Sequence, residues 1–458
     1  MEIKFKKYLL LLTIAIGSIS LKAQTEPKAF SLYEATQFAM ENSYVLSNTN
    51  KDITIAQKKV WETISTGLPQ VSGTMDYSKN IKATKTPFPV AMIPKEYWEF
   101  LKIPDDTPPD GMYPISFSQK YNSTFGLNVS QQIFDGSWIV GVSSAELYVN
   151  LAKQANEKME IDIRDAVSQA YYMVLISRQY KEVMEENLTN TQKLLDETKA
   201  YYKNGFREEQ DVDQLRILVK TAENEVNRSE RELKIAKTVL KYAMGYPLDT
   251  EISLTDNLDI FVLPLVKEEN TLAFEFNQHI DYKLANSNFQ VSEKLFKLEK
   301  STYLPKLNAF YNYTKTSFSN NANLFKEDWY TSSIIGLQAS IPIFNSGQKR
   351  SKVQQARIDV EKAKNDLKYA EITLQKDYLT ASAEMETAID KFKNDRESRD
   401  LARSILDKTH IKFNNGMVSS AELSQQETQY INSFQALINS TMQLLQADLK
   451  LKKAAGAL

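Results

Sequence analysis

Cysteine is absent from the 458-residue sequence, and histidine occurs only twice. Without cysteine the chain has no disulfide, no thiol nucleophile and no thiol to which a lipid could be attached. His279 and His410 lie 131 residues apart, and neither has an acidic partner at metal-ligand spacing. We therefore interpret both as ordinary helix residues, and we expect neither a metal site nor a cofactor.

Glycine and proline are also scarce, with 13 of each in the whole chain. Seven of the prolines fall within residues 83–120, which predicts a long irregular loop there. Both residue types interrupt helices. Their rarity elsewhere therefore leaves room for unusually long helices.

Long apolar runs are missing, apart from a short one near the amino terminus. Three lysines, Lys4, Lys6 and Lys7, precede an apolar segment at residues 8–16, and small residues follow up to Ala23. A membrane-spanning helix needs about 20 apolar residues, so the pattern is typical of a secretory signal peptide over residues 1–23.

Charge and motif content exclude further classes of function. The net charge of −2 gives no indication of nucleic acid binding. A glycine-rich phosphate loop and a catalytic triad are both missing from the sequence. We therefore do not expect an enzyme.

The longest segment without glycine or proline is residues 348–415, which has 68 residues. Its apolar residues recur in steps of three and four, the spacing of a coiled-coil seam. They are Val353, Ala356, Val360, Ala363, Leu367, Ala370 and Leu374. Gly416 ends this helix and a return helix follows at 419–452, so we predict a long helical hairpin. Residues 137–204 and 208–244, with Gly205 between them, predict a second one.

Four segments alternate apolar and polar residues with the period of a β-strand. They are residues 71–82, 121–134, 307–318 and 332–344. In the second segment Phe125, Leu127 and Val129 face one way, whereas asparagine, threonine and serine face the other. Each segment therefore predicts a strand with one apolar and one polar face.

The order helix, strand, loop, strand, long helix, return helix occurs twice. Residues 343–345 repeat residues 133–135 at an offset of 210, and Gly416 repeats Gly205 at an offset of 211. We therefore predict an internal duplication, with a first structural repeat over residues 24–266 and a second over residues 267–458.

Four strands cannot close a barrel by themselves, and open sheet edges are not tolerated in lipid. Either the strands form a small soluble sheet, or several chains pool them with apolar side chains towards lipid and polar side chains towards water. The alternation fits both arrangements. The signal peptide, the length of the second strand and the two hairpins favour the membrane arrangement.

Several short motifs occur twice in the same order. They are the Leu-Pro turns at 68–69 and 304–305, the Ile-Phe-Asp/Asn turns at 133–136 and 343–347, and the hairpin tips at 203–206 and 414–417. Together with the helix break at 243–248, they resemble the TolC-like outer-membrane efflux family over essentially the whole mature length.

The resemblance implies a membrane α/β fold and a homotrimer in the cell outer membrane. Each chain would supply four strands to a twelve-stranded β-barrel, and the helices would form a coiled-coil tunnel in the periplasm. The implied function is passive export, as the exit duct of a tripartite efflux or type I secretion system. The implied partners are outer-membrane lipid, a periplasmic adaptor (membrane fusion) protein, and an inner-membrane pump of the RND or ABC type.

The resemblance assigns adaptor docking to the two tips, through Gly205, Phe206, Gly416 and Met417. A purely structural role is also open, because the glycines can cap helices and the two apolar side chains can pack inside their turns. The family often has valine before the tip glycine, where this chain has asparagine at both tips. The choice of adaptor therefore stays open.

In the family, acidic residues after the second tip line a periplasmic gate. The matching positions are Glu422 and Gln425, of which the second is not acidic. Ser419 and Glu422 also form a capping-box pattern, so this carboxylate can serve the helix end instead.

Two other functions compete with an export duct. One is a secreted or periplasmic coiled-coil structural or adhesive protein, against which the strands and the duplication argue. The other is a helical periplasmic enzyme, against which the missing catalytic residues argue.

Overall fold

A computed structural model describes residues 28–82, 84–116, 118–267, 274–322 and 327–458. The predicted signal peptide, residues 1–23, lies outside the described residues. The described chain is built mainly from helices, four of which are long. Within it, no helix is long and apolar enough to cross a membrane.

The helices and strands alternate in groups along the chain. They are β1 (Lys28–Phe30), α1 (Leu32–Asn42), α2 (Tyr44–Ser65), β2 (Gln70–Lys79), β3 (Thr86–Pro89), α3 (Trp98–Leu101), β4 (Met112–Ile115), β5 (Tyr121–Asp135), α4 (Gly136–Lys203), α5 (Glu209–Met244), β6 (Ile252–Leu254), α6 (Leu258–Lys267), α7 (Ile280–Ser301), β7 (Lys306–Ser319), β8 (Trp329–Ser340), α8 (Gln348–Asn414) and α9 (Ser420–Ala454).

The two predicted hairpins are present as α4 with α5 and α8 with α9, and their bounds agree with the prediction within two residues. The four predicted strands are present as β2, β5, β7 and β8, with bounds that agree within four residues. The largest difference is the end of β8 at Ser340 instead of residue 344. Pro342 explains it, because proline has no N–H to donate to a strand ladder.

The capping-box pattern of Ser31 and Glu34, followed by apolar residues at helical spacing, predicts a single helix from Ser31 to about Gly67. The single helix is wrong, because Ser43 divides it into α1 and α2. Ser43 has an extended ψ of 121°, and its hydroxyl accepts a hydrogen bond from the Leu46 N–H at 3.4 Å. Ser43 therefore begins α2 as an N-cap. The predicted capping box of Ser31 and Glu34 at the start of α1 is confirmed.

The irregular loop expected at residues 83–120 is also wrong, because much of it is folded. Strands β3 and β4 pair as an antiparallel ladder, and Ile93, Ile103 and Ile115 form a small buried cluster with the ring of Trp98 against it. The Trp98 indole N–H donates to the Ile93 carbonyl at 3.0 Å. The strands have four residues each, too few for alternation to be recognised.

The described chain divides into two compact units. The first contains the described residues up to 54, together with 151–287 and 364–458. In its core, Tyr171, Leu175 and Leu240 are fully buried, with Leu444 and Leu445. Strands β1 and β6 pair in parallel at its side.

The second unit, residues 55–150 and 288–363, contains an antiparallel sheet in the order β2-β5-β7-β8. One row across all four strands is Val71, Val129, Tyr311 and Ile335, and the next row is Ser72, Asn128, Asn312 and Ile334. Neighbouring rows lie on opposite faces, so one face is apolar and the other mainly polar. Among the described residues, β2 and β8 each pair on one side only.

Candidate functional site

Both long helices end at their hairpin tip in the same way. Gly205 and Gly416 have φ values of +78° and +75°. The N–H of the next residue, Phe206 or Met417, donates to the carbonyl five residues earlier, at 3.0 and 2.9 Å. This is the Schellman arrangement, in which a left-handed residue closes the helix. The predicted cap at Gly416 is confirmed.

Phe206 and Met417 do not pack inside their turns. Their exposed fractions are 78% and 73%. Each tip therefore presents one large apolar side chain to its surroundings.

Arg207 joins the two tips, a contact that the sequence analysis missed. Its guanidinium donates to the Phe413 carbonyl and lies over the Phe413 ring, with 4.1 Å from Cζ to the ring centroid. It also forms an ion pair with Asp211 at 3.7 Å. Phe413 belongs to α8 and is 206 residues away in sequence. No local pattern could therefore indicate the contact.

Glu422 and Gln425, the two positions matched to a gate, are both exposed on the first turns of α9. The Ser419 hydroxyl accepts from the Glu422 N–H at 3.2 Å, so one half of the predicted capping box is present. The Glu422 side chain is exposed, whereas the next residue, Leu423, is buried.

The buried face of α9 carries a different carboxyl group, that of Glu427. Only 6% of its side chain is exposed. The Thr191 hydroxyl of α4 donates to Glu427 Oε1 at 3.5 Å, and Nε2 of His410 on α8 lies 3.7 Å from the same oxygen. Three helices therefore meet at this carboxyl group.

Burial shifts the titration of both ionisable side chains. It raises the pKa of Glu427 to about 7, although the Thr191 hydrogen bond acts to lower it. Burial lowers the pKa of His410, against the opposing effect of the nearby Asp407 charge. In both cases the low-dielectric surroundings disfavour the charged form.

The spacing of residues in the sequence indicates that Glu427 lies in the apolar seam of α9. Leu423, Glu427, Tyr430 and Phe434 follow one another in steps of four, three and four, which places Glu427 in the apolar seam of α9. Residues in a seam face a partner helix. A glutamate in the seam is therefore expected to be buried with its neighbours.

A cavity of about 310 Å³ lies beside Glu427 between α4, α8 and α9. Arg403 of α8 reaches across it and donates to Glu186 Oε1 of α4 at 3.0 Å and to the Tyr430 hydroxyl of α9 at 3.3 Å. The two hairpins are therefore joined by polar contacts at two levels, through Arg207 at the tips and through Arg403 and Glu427 farther along.

His279 is not a helix residue as predicted, because it precedes α7 directly. It is buried, its Nδ1 accepts from the Asp281 N–H at 3.2 Å, and its Nε2 lies 3.1 Å from the Lys453 carbonyl. It therefore holds the end of α9 against the start of α7. Among the described residues, no three His, Asp or Glu side chains are grouped so that they could hold a metal ion.

The long helix α8 has two apolar stripes. Its buried stripe includes Leu374, Ala381 and Met385. On the opposite side, at 100° per residue, Ile372 and Leu379 are 65% and 60% exposed. Tyr369, Leu401 and Ile405 continue this outer stripe. The part of the chain that the structure describes covers only one of the two stripes.

Comparisons with known proteins agree on one family. A family profile described as "Outer membrane efflux protein" matches residues 35–246 and 281–457. The outer membrane protein TolC of Vibrio cholerae is 22% identical over 342 residues, which are 73% of this chain and 76% of that protein.

Two solved structures have the same fold. VceC, an outer membrane protein of Vibrio cholerae, superimposes with a TM-score of 0.67 at 15% identity and covers 93% of this chain and 96% of its own. The CmeC outer membrane channel of Campylobacter jejuni superimposes with a TM-score of 0.68 at 14% identity and covers 96% and 90%.

Proposed function

The chain belongs to the outer membrane efflux protein family, and from this premise we propose that it forms the exit duct of a tripartite efflux or type I secretion system. Family membership makes it an outer-membrane channel protein and not an enzyme. The finer proposal has three parts: a homotrimer with a shared barrel, a periplasmic tunnel, and adaptor docking at the tips.

The sheet of the second unit is the observation that carries the proposal. It has an apolar face, a polar face and two edges, β2 and β8, that lack a partner within the described residues. In lipid each unpaired N–H and C=O group would cost several kcal/mol. Pairing β2 of one chain with β8 of the next removes both edges, and three chains then give a twelve-stranded barrel.

The strands are long enough for this arrangement. β5 has 15 residues and β7 has 14, whereas a tilted strand crosses the apolar layer with about 9–11. The apolar row of Val71, Val129, Tyr311 and Ile335 would face lipid, and the polar row would face the water inside.

The uncovered stripe of α8 supports the tunnel. Tyr369, Ile372 and Leu379 project from the face opposite the core of their own chain. Neighbouring chains in a trimer would cover this stripe, because hydrophobic burial against a second helix is favourable at about 25 cal/mol per Å².

The tips suit a docking role. Phe206 and Met417 are exposed apolar side chains beside two glycine caps, and burying such side chains against a partner is favourable. An adaptor protein coupled to an RND or ABC pump is the partner that we propose for them. Glu422 and Gln425 would then lie near the periplasmic mouth as a gate.

The substrates that we propose are small molecules, such as drugs, or secreted proteins, and their export would be passive through the duct. A secreted coiled-coil or adhesive protein is a weaker candidate. Such a function does not explain a sheet with one apolar face, one polar face and two unpaired edges. Fractionation of cells separates these cases, since an adhesive protein would not require detergent for extraction from the outer membrane.

The test uses the absence of cysteine from the chain. Cysteine pairs are introduced along the two edges, one residue on β2 and one on β8, and outer membranes are oxidised. We expect cross-linked products up to three chains and a trimer mass in mild detergent. The control pair, Thr124→Cys with Thr316→Cys, joins directly opposed residues of β5 and β7 and should link within one chain. A monomer in detergent with no linked chains would refute the trimer.

A further inference from the structure

Glu427 is an ionisable residue in the otherwise apolar seam of α9. Its neighbours in the seam, Leu423, Tyr430 and Phe434, are all buried, and the position faces α4 and α8 and not solvent. Replacing such a carboxyl group by an apolar residue would ordinarily stabilise helix packing. Helix packing alone therefore does not explain the buried carboxyl group.

The charged groups around Glu427 do not neutralise it fully. Six ionisable side chains line the cavity from the two facing helices: Glu186, Lys193 and Glu197 from α4, and Arg403, Asp407 and His410 from α8. The Arg403 guanidinium is already bonded to Glu186. His410 is the basic group within 4 Å of the Glu427 carboxyl. Its own burial opposes its protonation, so it is a weak counter-ion at neutral pH.

The two charge states of Glu427 affect the packing differently. When protonated, the side chain is neutral and keeps its contact with Thr191. When ionised, it is a buried anion with one neutral hydroxyl donor and a weak counter-ion, which favours any movement that admits water. Separating α9 from α4 is the movement that would let water from the adjoining cavity reach the carboxylate.

We propose that Glu427, with Thr191 and His410, is a proton-sensitive junction between the two hairpins, closed when the carboxyl group is protonated and loosened when it is ionised. The junction lies 11 residues beyond Gly416 and, because α9 begins at Ser420, roughly 10 Å along that helix. A loosening there would separate the hairpin tips, against the Arg207 contact with Phe413.

The pH range follows from burial. In the folded chain the Glu427 pKa is about 7, against 4.5 for an unperturbed glutamate. The Glu427 carboxyl group therefore stabilises the closed state fully below about pH 4.5. This stabilisation decreases as the pH rises and is absent above about pH 7. His410 acts in the opposite direction, below its ordinary pKa of 6.5. The carboxyl group therefore dominates above that pH.

The experiment measures the distance between the tips directly. Spin labels are attached to Phe206→Cys and Met417→Cys, both exposed positions in a chain without other cysteines, in full-length protein diluted with unlabelled chain. As the pH rises to about 7 we expect the distance distribution to move to longer values, with no further change above that pH. The junction lies within one chain, so this readout does not depend on the proposed duct.

Three variants decide the cause. Glu427→Gln and Glu427→Met are neutral at every pH and should keep the short distance throughout, and two replacements guard against a folding failure of either. Glu397→Gln removes an exposed carboxylate from α8 and should behave as the parent chain. A distance that does not change with pH in the parent, or a pH response that persists in both Glu427 variants, would overturn the proposal.

His410→Gln tests the pairing separately. His410 favours the loosened state only where it would be protonated, below about pH 6.5, so its removal should shorten the distance between the tips in that pH range and leave it unchanged at higher pH. An unchanged or longer distance below that pH would contradict the role given to His410.

Discussion

Residues near the two tips differ in role according to their burial. Phe206 and Met417 are exposed and contribute little to the stability of the single chain, so their effect is expected in binding. Arg207, which is partly buried, and Glu427, which is buried, lie between the hairpins, where they affect how the hairpins pack. Substitutions in the first group should change export without changing the fold, and substitutions in the second should change the fold locally.

Arg207→Ala is expected to loosen the tips. It removes a charge-assisted hydrogen bond to the Phe413 carbonyl and a cation–π contact with the ring, together worth about 2 kcal/mol. Amide hydrogen exchange in the last turns of α4 and α8 should become faster by about 30-fold. Arg216→Ala, which removes an exposed arginine paired with Asp213, is the control and should leave that exchange unchanged. Equal exchange in both variants would refute the contact.

Phe206→Asp and Met417→Asp are expected to lower export by roughly tenfold or more, because a charge at the centre of an apolar contact prevents its desolvation. The assembly should keep its mass in mild detergent, since neither side chain packs within the chain. Phe206→Leu and Met417→Leu are the matched controls that retain apolar surface. Full export by both aspartate variants would remove the docking proposal.

Among the elements, the long helices have lengths that are determined by the residues that end them. Four glycines and prolines near their ends, at positions 205, 245, 247 and 416, interrupt segments that contain few other helix breakers. Gly245 closes α5 with a φ of +70° and packs against α1. The two tip glycines stand in open space.

Alanine substitutions should separate these two situations. Gly205→Ala and Gly416→Ala introduce only the strain of a left-handed residue, about 1 kcal/mol each. Gly245→Ala adds a clash, since its Cβ would lie 2.9 Å from the Asn42 carbonyl oxygen. Thermal unfolding should therefore show a clearly larger fall in the midpoint for Gly245→Ala than for either tip variant. A tip variant as unstable as Gly245→Ala would contradict the open surroundings of the tips.

On the scale of the whole molecule, two features have no packing partner within the described part of one chain. β2 and β8 lack a second partner within the described residues, and the outer stripe of α8 is uncovered. Both features are accounted for together if three chains assemble. The proton-sensitive junction lies inside one chain and would occur three times in such an assembly.

Ile372→Asp combined with Leu379→Asp should prevent assembly while leaving the chain folded. The two side chains lie opposite the buried stripe of α8, so the core of the chain is not disturbed. Each charge would have to be desolvated at the contact between chains. We expect monomer mass in mild detergent with unchanged helix content by circular dichroism. Ile372→Leu with Leu379→Met is the control, and a stable trimer of the aspartate variant would exclude this stripe from the interface.

The sequence alone determined the elements that depend on local order. The seam of α8, the alternation in β5 and the glycines at the tips were all recognisable, because helix period, strand period and backbone freedom are properties of neighbouring residues. Local order also misled in places. The break at Ser43 and the folded segment at residues 83–120 depend on hydrogen bonds and packing that periodicity does not record.

Only the tertiary structure decided which residues of the two hairpins meet. Arg207 and Phe413 are 206 residues apart, and Thr191 and Glu427 are 236 residues apart. Contacts between residues so far apart in sequence depend on how the helix faces pack. A shift of α9 by one residue would put a neighbour of different chemistry in the place of Glu427. The pKa of Glu427 has the same origin, because burial, and not sequence, removes the water that would otherwise stabilise its charge.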